Sequence, residues 1–336
     1  MTIYLIIYLL IIFFLNNLII KKNFLSSDTG SVHQLFANKS VPLTGGIILI
    51  LPISYIFFGN ENILVLTFLL FFILGLLSDL NILSSSKKRF LLQFLIILFF
   101  VLINKLEVLP TRVSLIDEYF QNSSLSYFFT IFCFLVLING SNFIDGLNGL
   151  LVGYILIIFF YLYKLNLISS LDLNNDDFLL FIVTLIFLLS LNLNNKLFLG
   201  DSGSYSLSFL LGFILIKIYN LNLQISPYFI ILLLWYPCFE NLFSITRKSI
   251  LKLNPLKPDN NHLHQYLFIF LKKKFNYRDL VANNLASILI NFFNFTILYI
   301  ASIDIYHTKF QLCLLLFCVT IYLICFRVLK NSLKLL

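Results

Sequence analysis

Apolar stretches long enough to enter or cross a bilayer recur from one end of this 336-residue chain to the other, and that recurrence restricts it to one structural class. They fall at about 3–20, 43–58, 63–78, 90–104, 125–139, 149–163, 178–193, 205–219, 226–244, 281–301 and 310–328. Charged residues make up only 11% of the chain and hydrophobic ones 60%, whereas a soluble domain carries about 25% charged residues. So few charges cannot cover a water-facing surface. The expectation is an all-α polytopic membrane protein of about eleven transmembrane helices. It would form a single domain over residues 1–336, with one large loop at about 245–280. The first stretch, Ile3 to Ile20, lacks a basic leading region and a small-residue cleavage site, and Lys21 and Lys22 follow it. It reads as a retained helix rather than a secretory leader. The five cysteines lie in apolar runs without CxxC spacing, as small buried hydrophobes do.

Charge sets the expected orientation. Loops following odd-numbered stretches, with the C-terminal tail, hold 18 of the 23 Lys and Arg; the exceptions are Lys105, Arg112, Lys164, Lys217 and Lys309. The positive-inside rule then places those loops and the C-terminus in the cytoplasm and the N-terminus outside. Such basic residues orient a chain in a membrane, and no nucleic-acid partner is expected. The acids are more selective. Most lie in outer loops, but Asp79, Asp145 and Asp201 fall at ends of apolar stretches on the inner side, and Glu240 falls inside one. Acids at membrane depth are costly and usually functional.

Five inner segments concentrate polar and turn-forming residues. The first, Asp28 to Gly46, contains VPLTGG, with His33 and Lys39 placed to meet a phosphate; an ordinary helix-capping loop is the alternative. The second, Gly75 to Gln93, sets Asp79 against a basic cluster containing Arg89, which suits a phosphate or metal site or an interfacial cap. The third, NGSNFIDGLNGL, repeats Asn139, Asn142 and Asp145 every three residues at a helix end, so these groups face the bundle interior or a water-filled cavity, with a purely structural polar network as the alternative. In the fourth, GDSGS, Asp201 lies beside Gly200 at a helix entrance, where a plain helix N-cap is the alternative. Asp201 with Asp145 fits Mg²⁺, which takes oxygen ligands from one or two carboxylates plus substrate phosphates. The fifth contains KPDNNHLHQYL, where His262 and His264 among lysines suggest a nucleotide-diphosphate clamp. HxH is also a zinc pattern, but no cysteine is near it in sequence.

Taken together, VPLTGG, GLLSD, NGSNFIDGLNGL, GDSGS and HLHQ, in that order, resemble the segments of the polyprenyl-phosphate N-acetylhexosamine-1-phosphate transferases. These are the membrane enzymes of the WecA and MraY type, glycosyltransferase family 4. The form of the last segment is more similar to the GlcNAc-1-phosphate branch than to the muramyl-pentapeptide branch. Three positions depart from the pattern: Ser78 stands for the first Asp of a pair, Asn148 for the second Asp of DGxDG, and Gln265 for a His.

The resemblance implies transfer of an N-acetylhexosamine-1-phosphate from a UDP-sugar to undecaprenyl (polyprenyl) phosphate. UMP is released, and a lipid-linked cell-envelope glycan such as an O-antigen or lipopolysaccharide is begun. It implies a bacterial inner-membrane location and Mg²⁺, with Mn²⁺ as substitute; a homodimer is compatible with it. Asp201 and Asp145 would hold the metal, with Asp145 as second ligand or nearby base and Asp79 deprotonating or orienting the acceptor phosphate. Lys39, Arg89, Asn139, Asn142, His262 and His264 would bind substrate. Two rivals stand beside this reading. A transporter would place charges near the midplane in inverted repeats, and none is evident here. A non-catalytic relative that binds lipid or nucleotide sugar draws its support from the three departures.

Overall fold

The computed structural model describes residues 8, 10–14, 16–19, 25, 41–59, 61–108, 110–120, 123–171, 173–254 and 259–335. Among them the regular structure is helical. The helices are α1 (Leu10–Ile19), α2 (Gly45–Phe57), α3 (Asn62–Asp79), α4 (Ser86–Asn104), α5 (Ser114–Tyr119), α6 (Ser123–Ile144) and α7 (Leu150–Lys164). They continue with α8 (Asn175–Leu193), α9 (Gly200–Leu221), α10 (Pro227–Leu233), α11 (Trp235–Ile250), α12 (Leu263–Phe275), α13 (Asp279–Ala301) and α14 (Thr308–Leu335).

Every expected apolar stretch coincides with helix in its described residues, yet the expected count of eleven crossings does not follow. Among the described residues six helices, α3, α6, α8, α9, α13 and α14, are long and apolar enough to cross a bilayer, and α10 with α11 makes a seventh if the bent pair counts as one. The physical reason is length and charge. Helix α2 has 13 residues and α7 has 15, which at 1.5 Å per residue is roughly 20 Å of a roughly 30 Å core. Helix α4 carries Lys87, Lys88 and Arg89 in its first turn. The large loop expected at 245–280 is also largely helical: α11 runs to Ile250, and α12 fills Leu263–Phe275. Its apolar positions Leu263, Phe268 and Leu271 are buried on one face. The side chain of Gln265 accepts from the His262 N–H at 3.2 Å, closing a capping box.

Helix α9 is the axis of the bundle, buried along most of its length, with α2, α3 and α6 packed around it. Apolar burial alone does not hold helices together in lipid; close backbone approach does. The small residues of GDSGSYSLS supply it. A Cβ on Gly75 of α3 would stand 2.3 Å from both the Cα and the N of Ser202, and one on Gly46 would stand 2.6 Å from Ser202 Oγ. Ser206 Oγ donates to the Ser202 carbonyl at 2.6 Å and Ser208 Oγ to the Ser204 carbonyl, so these two hydroxyl protons are not left for lipid. Gly75→Ala is therefore expected to destabilise the fold by about 1–3 kcal/mol or more, as overpacking does. A lowered thermal midpoint in detergent would show it, and an unchanged midpoint would refute the tight α3–α9 contact.

Helices α10 and α11 meet at 77°. Pro237 has no N–H for the carbonyl of Leu233 four residues back, so the ladder stops there. The freed Leu233 carbonyl instead accepts the Tyr154 hydroxyl at 2.9 Å, and Trp235 Nε1 donates to Asn294 Oδ1 at 2.8 Å. The kink is thus held by α7 and α13. It turns α11 so that Glu240 and Arg247 reach the end of the bundle where α3, α6 and α9 present their acids.

Candidate active site

The centre of the site is the start of α9. Gly200 has φ +74, a backbone state that only glycine adopts without strain, and a Cβ there would stand 2.8 Å from Asp79 Oδ2. Asp79, the last residue of α3, turns its carboxylate onto the exposed amides of the α9 N-terminus. Oδ1 accepts from Asp201 N at 2.8 Å and Oδ2 from Ser202 N at 3.1 Å. It acts as a cap supplied from another helix, where the macrodipole favours negative charge. A carboxylate has about four acceptor positions, so Asp79 keeps capacity for a further donor.

Asp201 accepts from Ser78 Oγ at 2.6 Å, Arg89 Nη1 at 2.8 Å, Asn142 Nδ2 at 2.7 Å and the Tyr205 hydroxyl at 3.2 Å. These donors come from α3, α4, α6 and α9, so one carboxylate ties four helices. Arg89 also donates to Ser78 Oγ at 2.5 Å. Ser78, where the resembling enzymes have an acid, is therefore a neutral hydroxyl bridging the Arg89–Asp201 ion pair. Asn142 donates in addition to Ser204 Oγ at 3.0 Å. Asn139 lies one turn earlier and donates to Gln93 Oε1 and to the Leu135 carbonyl, both at 2.9 Å; it joins α6 to α4.

Asp145 follows the end of α6 directly. Burial pushes its carboxyl well above the ordinary value of 3.8, and the negative charges of Asp201 and Asp79 push it further. Three acids far apart in sequence thus act on one another at one end of the bundle. Among the described residues no hydrogen bond ties down the Asp145 carboxylate.

A second cluster lies across α6, where α11 packs closely: a Cβ on Gly140 would stand 2.1 Å from the Pro237 carbonyl. His262, at the start of α12, meets Glu240 Oε1 through Nδ1 at 2.9 Å and Asp259 Oδ1 through Nε2 at 3.4 Å. Asp259 is held by Arg247 at 2.9 Å and Lys248 at 3.7 Å. Burial raises the Asp259 carboxyl, but the charges of Arg247, Lys248 and His262 outweigh that and bring it below the ordinary range. His264 stacks on His262 with centroids 5.5 Å apart. Phe143 packs on the same ring at 5.1 Å and links the cluster to the Asn142–Asp145 turn.

The structure therefore brings Asp79, Arg89, Asn142, Asp145 and Asp201 together and sets His262 and His264 in the adjoining cluster, with Asn139 one turn behind. Lys39, like His33, lies outside the described residues. Sequence reasoning assigned no role to Tyr205, Ser204 or Asp259, and left Glu240 as an unexplained acid in an apolar helix. That isolation was the one signal available for it. The other two departures from the motif pattern are structural here. The Asn148 side-chain amide donates to Asn195 Oδ1, a bond that a carboxylate could not give, while its backbone N–H and carbonyl meet Asn283 and Ser287 of α13. Gln265 closes the α12 cap.

The profile described as Glycosyl transferase family 4 matches residues 62–219, the segment from α3 through α9 that carries Asp79, Asp145 and Asp201. The undecaprenyl-phosphate alpha-N-acetylglucosaminyl 1-phosphate transferase of Thermotoga maritima is 30% identical over 227 residues, 67% of this chain and 67% of that protein. The chain belongs to glycosyl transferase family 4. The transferase is also 28% identical to a probable undecaprenyl-phosphate N-acetylglucosaminyl 1-phosphate transferase of Bacillus subtilis, over 59% of this chain and 55% of that protein. A phospho-N-acetylmuramoyl-pentapeptide-transferase of Prochlorococcus marinus is 32% identical over 53% of each chain. In these last two the match spans about half of the relative's length. The transferase is thus similar to both branches of phospho-sugar transferases, and its helices make it a multi-pass membrane protein.

Proposed function

We propose that the transferase moves an N-acetylhexosamine-1-phosphate, GlcNAc-1-phosphate first among the candidates, from a UDP-sugar to undecaprenyl or a related polyprenyl phosphate. The observation that carries this reading is the convergence of Asp79, Asp145 and Asp201 with Arg89 at one end of the bundle, built from segments the family profile matches. Names of relatives in which the acceptor is undecaprenyl phosphate support the lipid. The basic inner loops support a cytoplasmic site in a bacterial inner membrane, with the N-terminus outside. The rival reading of a non-catalytic relative is not favoured, because the departures leave all three acids in place.

An oxygen of the lipid phosphate attacks the β-phosphorus of the donor. The bond from that phosphorus to the bridging oxygen breaks, and UMP leaves with the electron pair. Such transfers depend on positioning and charge neutralisation more than on covalent help. A phosphate monoester has a second pKa near 6, so the acceptor arrives largely ionised and needs orientation rather than a strong base. Arg89 supplies a fixed positive charge beside the acids, and Asp79 holds the α9 N-terminus, whose dipole favours anions. His262, His264, Arg247 and Lys248 take the donor diphosphate. The residues fit Mg²⁺: Asp145 offers a carboxylate crowded by like charge, which a dication relieves, and Asp201 adjoins it. Among the described residues no three His, Cys, Asp or Glu side chains form a cage, so Asp145, Asp201 and the substrate phosphates would have to supply the oxygens. When bound, the ion neutralises charge on the diphosphate.

The test is UMP release by purified protein with Mg²⁺, undecaprenyl phosphate and a panel of UDP-N-acetylhexosamines. Lipid-dependent UMP from one sugar is expected. Binding of donor by folded protein with no turnover of any would return the non-catalytic reading.

A further inference from the structure

Glu240 is fully buried in the middle of α11. A buried carboxylate is tolerated only when it is paired, and a glutamine or an apolar residue would fill the same space without that demand. Its Oε1 meets His262 Nδ1 at 2.9 Å. A carboxylate can only accept, so with Glu240 at Nδ1 and Asp259 at Nε2 each ring nitrogen presents an N–H. Nε2 is thereby turned the other way, toward Asp259 Oδ1 at 3.4 Å, in the grip of Arg247 and Lys248. The rest of the ring is fixed as well. Phe143 and His264 pack against it, and Gln265 holds the backbone N–H of His262. The Asp259 carboxylate marks an anion position that three groups converge on: His262 Nε2, Arg247 and Lys248. That is the chemistry that receives an oxygen of a diphosphate.

We infer that Glu240 is a positioning residue, which acts through His262 by holding its Nδ1–H and so aiming its Nε2–H into the anion position formed with Arg247 and Lys248. The inference rests on the reading that His262 meets the donor diphosphate. Charged and titratable groups on every side of the ring are accounted for: Glu240, Arg247 and Lys248 on α11, Asp259 on the preceding loop and His264 on α12. Helix α6 contributes the Phe143 face, with no charge in contact.

The test is a cycle of Glu240→Gln, His262→Ala and the double variant in the full-length protein, reading donor KM and kcat for UMP release. Gln fills the same space but removes the negative charge that Nδ1–H meets, and its amide N–H can oppose that N–H. Glu240→Gln is expected to raise donor KM about 10- to 100-fold, as loss of a group that orients a working histidine does. The double variant should match His262→Ala alone, because a residue acting through another adds nothing once that other is gone. Multiplying losses, or a lowered thermal midpoint with donor KM unchanged, would make Glu240 merely structural and overturn the inference. His262→Ala with unchanged donor KM would overturn the His262 reading as well. An impaired His262→Ala beside a fully active Glu240→Gln would overturn the positioning role alone. Should Glu240→Gln not fold, Glu240→Asp keeps the charge, shortens the reach and must show the same dependence on His262.

Discussion

Asp201→Asn is expected to lower lipid-dependent UMP release by about 10²- to 10³-fold, the range for losing a preorganised electrostatic group at a reacting centre. The substitution keeps size and shape, so its effect isolates charge and proton direction. Asp201 is surrounded by donors only: Ser78 and Tyr205 hydroxyls, the Arg89 guanidinium and the Asn142 amide. An asparagine must set its own NH₂ against some of them. Hydroxyls can rotate to accept and Asn142 can flip, but a guanidinium has no acceptor. With its carbonyl at the Oδ2 position the asparagine keeps the Arg89 bond but leaves Arg89 without its counter-ion; with its NH₂ there Arg89 loses both, and in either case the joint between α3, α4, α6 and α9 loosens. The thermal midpoint in detergent should fall together with activity. Activity within twofold of the parent would remove Asp201 from the site.

The class of fold was legible because lipid imposes one rule on every residue in contact with it, and the apolar runs obey that rule. The number of crossings was less legible than the class. A 13-residue α2 and a charged-entry α4 read as spans by hydropathy, and their packing on neighbours is a tertiary fact. The acid cluster was legible residue by residue, since Asp79, Asp145 and Asp201 each stand out at a helix end. The way they divide the work was not. Nothing local shows that Asp79 caps another helix 122 positions away, or that Ser78 bridges an ion pair rather than merely lacking a charge. The histidine cluster was half legible. His262 announced itself in HLHQ, while its partner Glu240 depends on the bend at Pro237, whose freed carbonyl is taken by Tyr154 from α7. Sequence patterns carry local periodicity; partnerships set by a kink between distant helices leave no such trace.

Asp145→Asn is expected to abolish most transfer, by about 10²-fold or more, and yet to stabilise the metal-free protein. The two effects have one cause. Burial and the charges of Asp201 and Asp79 raise the Asp145 carboxyl well above its ordinary 3.8, so the folded state disfavours the ionised form. A carboxyl raised on folding contributes its stability below the unfolded value, and that stability is lost as pH rises through the folded value. Asparagine has no proton to lose. In EDTA, the variant should match the parent near pH 4 and melt higher than the parent above neutrality, by about 2–4 °C for each kcal/mol of repulsion removed. Adding Mg²⁺ should raise the parent's midpoint, since a ligand that binds only the folded state stabilises it, and should leave the variant nearly unmoved. A parent that melts equally well at pH 4 and pH 8 in EDTA would show that the three acids do not repel one another. A variant that responds to Mg²⁺ as the parent does would take Asp145 out of the metal site. On the proposed reading, the like-charge crowding is a strain that the ion and the phosphates would relieve, and relieving it by mutation is expected to give a sturdier protein with less activity.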